Sequence, residues 1–320
     1  MREIKPVILN LSEIKAALKD LDLISIIESG FISYTSGAAV IPPVGELLFD
    51  QPPGDCHIKY GYIKDQPYYL VKVASGFYEN PKLGLNSSQG VILLFSQTTG
   101  ELVGILMEEG YLTDVRTAIA SMITIKYLAP DPIHAIGIIG CGVQASMQLK
   151  YLKDVTSCKK IFVWGRDKQK AEAFTEQNQD LGFNISVAEN IEEITTNCNV
   201  IITTTPSHKP LILAEKVLPG THITAIGSDT SEKQELDPRL LEKANLIISD
   251  SISQSLSRGE IFKARNAGLL NENNLTGLGE IIFSKKRPLR SKDHITIADL
   301  TGVAVQDIMI ANAVFNKLQK

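Results

Sequence analysis

The spacing of apolar and polar positions changes partway along the chain. Up to about residue 130 the strand-like runs are short: His57 to Tyr62, Tyr68 to Val73, Gly90 to Ser96 and Leu102 to Met107, with Thr98-Thr99-Gly100 as a hairpin turn between the last two. Helical patterns flank them. One enters at Leu11-Ser12-Glu13-Ile14, with Ser12 as N-cap, and runs apolar-periodic to about Gly30; the other covers about Leu112 to Leu128 and is closed by Pro130 and Pro132. Between residues 38 and 61 turn formers accumulate: Pro42, Pro43, Gly45, Pro52, Pro53 and Gly54. These signals predict an antiparallel sheet with helices, an α+β unit.

Beyond Pro132, continuous apolar runs alternate with helix-length amphipathic stretches. The runs are Ile133–Ile139, Ile161–Trp164, Asn184–Val187, Val200–Thr204, His222–Ile226 and Leu246–Ile248, and a further strand at Ile295–Leu300 leads into a final helix from about Val303 to Leu318. Strands that are apolar throughout, separated by helices, predict a parallel sheet covered on both faces. The boundary is placed near residue 130, and the last helix is expected to pack back on the first domain.

Charge and composition narrow the function classes. The 320 residues carry 32 Lys+Arg against 36 Asp+Glu, a formal net charge of −4, with 44% hydrophobic and 21% charged residues. That is a folded globular composition with length for two cores. The longest basic cluster, Lys285-Lys286-Arg287, is short and flanked by Pro288, so it reads as a solvated loop and no nucleic-acid partner is expected. Cys56, Cys141, Cys158 and Cys198 form no C-x-x-C pair and the histidines no H-E-x-x-H, so neither a metal site nor a disulfide framework is expected. No stretch approaches 18 apolar residues and the opening residues lack an apolar core, so no membrane partner is expected and the expected location is cytoplasmic.

The strongest local signal is Ile138-Ile139-Gly140-Cys141-Gly142-Val143-Gln144-Ala145, a G-x-G-x-x-A between an apolar strand and a helical run. Gly140 permits the tight turn, Gly142 lets a pyrophosphate approach the backbone, and Ala145 lets helix and strand pack closely; the helix N-terminus offers amides and a dipole to the phosphates. The next strand ends Trp164-Gly165-Arg166-Asp167. An arginine where NAD-specific sites place a carboxylate favours NADP(H), whose 2′-phosphate Arg166 would bind; the plainer alternative has Arg166 as a solvated turn residue and Asp167 as a helix N-cap. Thr204 and Thr205 end the fourth strand, where their hydroxyls suit a ribose or nicotinamide and their β-propensity gives an equally good account.

Several segments together, Val71-Lys72-Val73, Gly110 to Ala118, the glycine motif, Ala225-Ile226-Gly227-Ser228-Asp229 and Asp299 to Asp307, resemble the ornithine cyclodeaminase/mu-crystallin family over roughly residues 35–310. The stretches Ala74–Pro81 and Leu83–Gly90 look like the subgroup encoded with ectoine-degradation enzymes, although their glycines also read as turn positions needing positive φ. The resemblance implies a homodimer. Its α+β substrate and dimerisation domain, residues 1–130, is completed by the C-terminal helix, 303–320, and a Rossmann doubly wound domain, 131–302, holds NAD(P)(H). It implies coenzyme contacts from Thr117, Gly140, Gly142, Val143, Gln144, Ala145, Gly165, Arg166, Thr204, Thr205, Gly227, Ser228, Asp229 and Gly302, and substrate-site positions at Lys72, Arg116 and Asp229.

Those residue types suit hydride transfer at a carbon bearing nitrogen, which needs a carboxylate anchor and a group that exchanges a proton with the nitrogen. Arg116 is a candidate bidentate clamp. Lys72, if it faces inward from its apolar strand, has its pKa lowered by desolvation and either relays protons or binds a carboxylate; strand alternation equally permits an outward lysine. Asp229 lies just beyond the fifth strand, as proton partner or as turn former. Two departures from the family carry information. The Pro-rich segment Pro42-Pro43-Val44-Gly45-Glu46 lacks the arginine many members carry, and Lys59 stands where ornithine cyclodeaminases have an acid. A lysine there repels a distal ammonium and attracts a second carboxylate, or else it stands in for the missing arginine; either way a diamino acid is disfavoured. The expected function is therefore hydride transfer on a small α-imino or α-amino acid, with dicarboxylic substrates such as iminosuccinate included in the class. A cyclodeaminase acting on ornithine is the alternative, and a crystallin-type binding protein is a third that the retained Lys72, Arg116 and Asp229 disfavour.

Overall fold

A seven-stranded mixed sheet and an eight-stranded parallel sheet organise the computed structural model, which describes residues 5–77, 79–284 and 288–319. The expected solvated loop at Lys285-Lys286-Arg287, Tyr78 and the first four residues lie outside the described residues. In chain order the elements are β1 (Val7–Leu9), α1 (Leu11–Leu18), α2 (Leu23–Thr35), β2 (Ala39–Val40), β3 (Gly45–Asp50), β4 (Pro53–Ile63), β5 (Tyr68–Phe77), β6 (Ser88–Ser96), β7 (Leu102–Leu106) and α3 (Tyr111–Leu128). There follow β8 (Ile136–Ile139), α4 (Val143–Leu152), β9 (Lys160–Trp164), α5 (Lys168–Gln177), β10 (Asn184–Val187), α6 (Ile191–Asn197), β11 (Val200–Thr203), β12 (His208–Ile212) and β13 (His222–Ala225). The chain continues with β14 (Gln234–Leu236), α7 (Pro238–Lys243), β15 (Leu246–Ser249), α8 (Ile252–Ser255), α9 (Gly259–Asn266), β16 (Leu275–Gly277), α10 (Leu278–Phe283), β17 (Thr296–Asp299) and α11 (Ala304–Leu318). These elements form two units, Met1–Arg116 with Val303–Lys320, and Thr117–Gly302.

In the first unit the strand order is β1-β7-β6-β5-β4-β2, with β3 also on β4. The sheet is not wholly antiparallel as expected, because the three-residue β1 pairs parallel with β7 and is too short to leave a pattern. The long N-terminal helix is also corrected. Asn10, not Ser12, is the cap: its Oδ1 accepts from the Ser12 and Glu13 amides while the Glu13 carboxylate accepts from the Asn10 amide, a reciprocal capping box. Asp22 caps a separate α2, so the apolar run to Gly30 is two helices. On β4 the burial alternates, with Asp55, His57, Lys59 and Ile63 inward and Tyr60 and Tyr62 exposed on the opposite face. α11 packs on α2 and against β4 and β5, and Phe315 sits edge-on to Tyr68 at 5.3 Å and fills the space that glycine leaves at Gly104.

In the second unit the parallel order is β10-β9-β8-β11-β13-β17-β15-β16, and every residue of β8, β11, β13 and β17 is buried, as runs covered on both faces require. The chain turns outward in opposite directions from β8 and β11, so a switch point falls between them. Beneath it runs a ladder of buried carboxylates. Glu235 accepts from the Thr203 hydroxyl (2.7 Å), the Thr205 amide (2.6 Å) and hydroxyl (2.7 Å), and the Gly227 amide (2.9 Å), tying the loop after β11 to the loop after β13. Glu260 in turn accepts from the Glu235 and Leu236 amides, and Asp299 from the Ile261 amide at 2.8 Å. Burial pushes Glu235 up to about 7, Asp299 up to about 8 and Glu260 well above the carboxylate range. Among the described residues no helix is long and apolar enough to cross a membrane, and no His, Cys, Asp and Glu group of three or more is arranged to hold a metal ion.

Raised carboxyl pKa values stabilise the fold while the groups stay protonated. Their contribution is complete below the unfolded value near 4 and is lost as pH rises toward the folded value of about 8 for Asp299. Thermal stability should therefore fall between about pH 4 and 8. Asp299→Asn, a neutral isostere, should flatten that dependence in calorimetric scans. An unchanged slope would show that Asp299 is ionised in the native protein.

Candidate functional site

The pleat of β5 turns Lys72 inward, and at 1% exposure its ammonium is out of water. It donates to Asp307 Oδ1 at 2.7 Å and to the Thr113 hydroxyl at 3.2 Å. Arg116, one turn further along α3 and 6% exposed, donates from Nε to the same Asp307 oxygen at 3.2 Å and from a terminal nitrogen to Gln306 Oε1 at 3.1 Å. Lys59 pairs with Lys72 across β4 and β5 and is itself buried. Like charges directly opposite on neighbouring strands repel. Asp307, on the first turn of α11, offsets the repulsion by facing both cations and Arg116. Burial lowers the Lys72 pKa, with Arg116 adding to the effect and Asp307 and Glu108 opposing it. Burial alone would raise Asp307, but Lys72, Arg116 and Lys59 together hold it below the ordinary carboxylate range. Removing one partner of such a buried pair generally costs about 3–5 kcal/mol, so each group holds the other in place.

Glu108 completes the cluster. It follows β7, is fully buried, and accepts from the Leu112 amide at 2.6 Å and the Thr113 amide at 3.3 Å, which anchors the start of α3. Its carboxylate occupies the space beside Gly90, where a Cβ would overlap Oε1. That corrects the reading of the local glycines. Gly84 has φ +74°, but Gly76 and Gly90 lie within paired strands and are not at positive φ; at Gly90 what matters is the missing side chain. His57 and Glu46, partners across β3 and β4, hydrogen-bond at 2.8 Å, on the face that carries Lys59.

In the second unit a crevice of about 300 Å³ opens at the carboxyl ends of β8, β9 and β11. Gly140, Gly142, Gly165, Arg166, Thr204 and Thr205 line it, together with Lys170. Gly140 has φ +121° and lies so close to the Thr204 hydroxyl that a side chain would collide. A Cβ on Gly142 would meet nothing within 4 Å, and no side chain caps α4, so the helix N-terminus faces open space suited to a diphosphate. Ala145 is buried against Ile136 and Ile138, as close helix–strand packing requires. These features fit a dinucleotide. Asp167 caps α5 through the Gln169 and Lys170 amides, which leaves Arg166 exposed at the rim. The Thr204 and Thr205 hydroxyls donate to the Ile139 carbonyl and to Glu235.

The remaining expected positions do not line this crevice. Val143 is exposed at the start of α4 beside Gln144. The Gly227 amide is held by Glu235, Ser228 donates to the Lys233 carbonyl, and Asp250 holds the Gly302 amide. Thr117 lies on α3 next to Arg116. Asp229 is part-exposed and ion-paired with Lys233 at 2.7 Å. The first unit thus brings Lys59, Lys72 and Arg116 to one cluster. The sequence reading had given no role to Asp307, Gln306 or Glu108. The available signal was an adjacent polar pair, Gln306-Asp307, in an otherwise apolar first half of α11; nothing local marked Glu108.

A family model described as the ornithine cyclodeaminase/mu-crystallin family matches residues 4–320. An uncharacterised cyclodeaminase of Sinorhizobium fredii is 36% identical over 94% of this chain and 92% of its own. The iminosuccinate reductase of Paracoccus denitrificans is 36% identical over 75% of this chain and 74% of its own. Its crystal structure in complex with NAD⁺ has a TM-score of 0.88, covering 98% of this chain and 96% of that one. An archaeal alanine dehydrogenase dimer with bound NAD has a TM-score of 0.89 at 33% identity, covering 98% and 96%. With residues 4–320 matched, the chain belongs to the ornithine cyclodeaminase/mu-crystallin family.

Proposed function

We propose that the chain is an NAD(P)-dependent oxidoreductase that transfers hydride at the C–N carbon of a small α-imino or α-amino acid, with a dicarboxylic imine such as iminosuccinate as the preferred class. The observation that carries the reading is the buried cluster of the first unit. Three basic side chains, Lys59, Lys72 and Arg116, are buried together beside Asp307 and Glu108, an arrangement suited to an anionic substrate. The relatives support the reaction class. They include the iminosuccinate reductase, an alanine dehydrogenase and a ketimine reductase mu-crystallin.

In this reading the unit Met1–Arg116 with Val303–Lys320 binds substrate and dimerises, and Thr117–Gly302 binds the coenzyme. Arg116 and Lys72 take the α-carboxylate, Lys59 the distal carboxylate, and Asp229 or Lys72 exchanges a proton with the substrate nitrogen. Gly140, Gly142, Val143, Gln144 and Ala145 form the diphosphate turn and helix start. Gly165, Thr204, Thr205, Gly227, Ser228, Thr117 and Gly302 complete the coenzyme set, and Arg166 takes a 2′-phosphate, so NADP(H) is favoured. When bound, the nicotinamide supplies or accepts the hydride. Tyr60, Tyr62, Val40 and Leu47, exposed along one side of the first unit's sheet, are offered as the homodimer face; a monomer mass by light scattering would contradict that. The four cysteines are free, which suits a cytoplasmic setting.

Assayed with ammonium and a panel of keto acids, the protein should consume NADPH with oxaloacetate faster than with pyruvate. Lys59→Ala should lower kcat/KM for oxaloacetate by about 10- to 100-fold, as removing one partner of a buried charge pair does, and spare pyruvate. Equal loss on both substrates would refute the dicarboxylate assignment. Ammonia release from ornithine without net coenzyme change would instead identify a cyclodeaminase. Arg166→Ala should weaken NADPH by about tenfold relative to NADH; an unchanged ratio of the two Kd values would refute the coenzyme preference.

A further inference from the structure

We propose that Asp307 is a positioning residue that keeps Lys72 in its charged form and fixes the direction of the Arg116 guanidinium, so that both cations meet a substrate carboxylate already aimed. The inference rests on the reading of Lys72 and Arg116 as substrate anchors. Asp307 comes from the C-terminal helix, 235 positions from Lys72 and 191 from Arg116. One oxygen, Oδ1, receives both donors. The other, Oδ2, is buried without a hydrogen-bond partner among the described residues. A carboxylate whose only role was to staple α11 to the sheet would gain most by using both oxygens, and a buried acceptor left unmatched is costly. Here the unmatched acceptor is retained while a single oxygen fixes two cations at 2.7 and 3.2 Å.

The surroundings leave Asp307 as the group able to do this. Lys72 is faced by Lys59 from β4, by Glu108 from the loop after β7, by Thr113 and Arg116 from α3, and by Asp307 from α11. Glu108 is engaged by the Leu112 and Thr113 amides at the start of α3. Without the charge on Asp307, Lys72 would sit desolvated between two other cations, and its neutral form would be favoured. Arg116 would keep Gln306 as an acceptor and lose the partner of its Nε.

The test uses oxalate, a carboxylate probe without a reducible carbon, titrated calorimetrically into the full-length protein between pH 6 and 10. In the wild type, affinity should hold at lower pH and fall as Lys72 loses its proton. In Asp307→Asn that fall should move at least about one pH unit lower, since the removed charge opposed the desolvation shift. Asp307→Glu keeps the charge but moves it by a methylene, so the fall should stay at the wild-type pH while affinity drops about tenfold through lost alignment. Should Asp307→Asn not fold, as judged by its melting curve, the Glu variant decides alone. Unchanged affinity in Asp307→Glu, coincident pH curves for wild type and Asp307→Asn, or no oxalate binding by the wild type would each overturn the proposal. A wild type that binds oxalate with the expected pH dependence yet reduces no keto acid would support this role for Asp307 and defeat the functional reading instead.

Discussion

A lysine ammonium buried in the middle of a β-sheet stays charged only if the fold brings it a counter-charge, and much of the first unit serves that requirement. Lys72 reaches Asp307 only because α11 returns to the sheet at the far end of the chain. The return depends on small residues where the helix lands: Gly104 under Phe315, and Gly30 beside Met309 on α2. Gly90 opens room for the Glu108 carboxylate, and Glu108 in turn sets the start of α3, from which Arg116 projects. The cluster and the topology are thus coupled. Losing the helix contact would expose an unmatched charge, and losing the charge pair would remove the polar reason for the helix to dock there.

The second unit solves a different problem with carboxylates that receive backbone amides. A parallel sheet presents loops at its carboxyl edge whose amides need acceptors, and Glu235, Glu260, Asp299 and Asp250 supply them from below. Holding the loop after β11 from the buried side fixes Thr204 against Gly140 and the Ile139 carbonyl, at the start of the glycine-rich turn. Rigid support beneath a glycine-rich turn is what close approach of a diphosphate needs.

Much of this was legible in the sequence. The apolar runs of β8, β9, β11, β13 and β17 fell where they were read, because strands buried on both faces have no polar alternation to confuse the pattern. The glycine motif was legible because its strand–turn–helix context is local. Lys72 was ambiguous, since alternation allows either face, and only pairing with β4 and β6 turns it inward. Ser12 reads as the cap because it opens a glutamate-containing apolar run, yet Asn10 stands at the spacing that lets Glu13 answer it. Asp307 and Glu108 stayed hidden for a physical reason: their partners lie on other elements, and no period or spacing encodes a contact across 235 positions.

The proposed function requires the buried cations to receive a substrate carboxylate. Its most direct measurement is a crystal structure of the protein with NADPH and oxalate bound. The expected result is a carboxylate of oxalate hydrogen-bonded to Arg116 and Lys72, with Asp229 turned toward the same ligand and away from Lys233. Oxalate bound elsewhere, with no contact to Lys72 or Arg116, would contradict it.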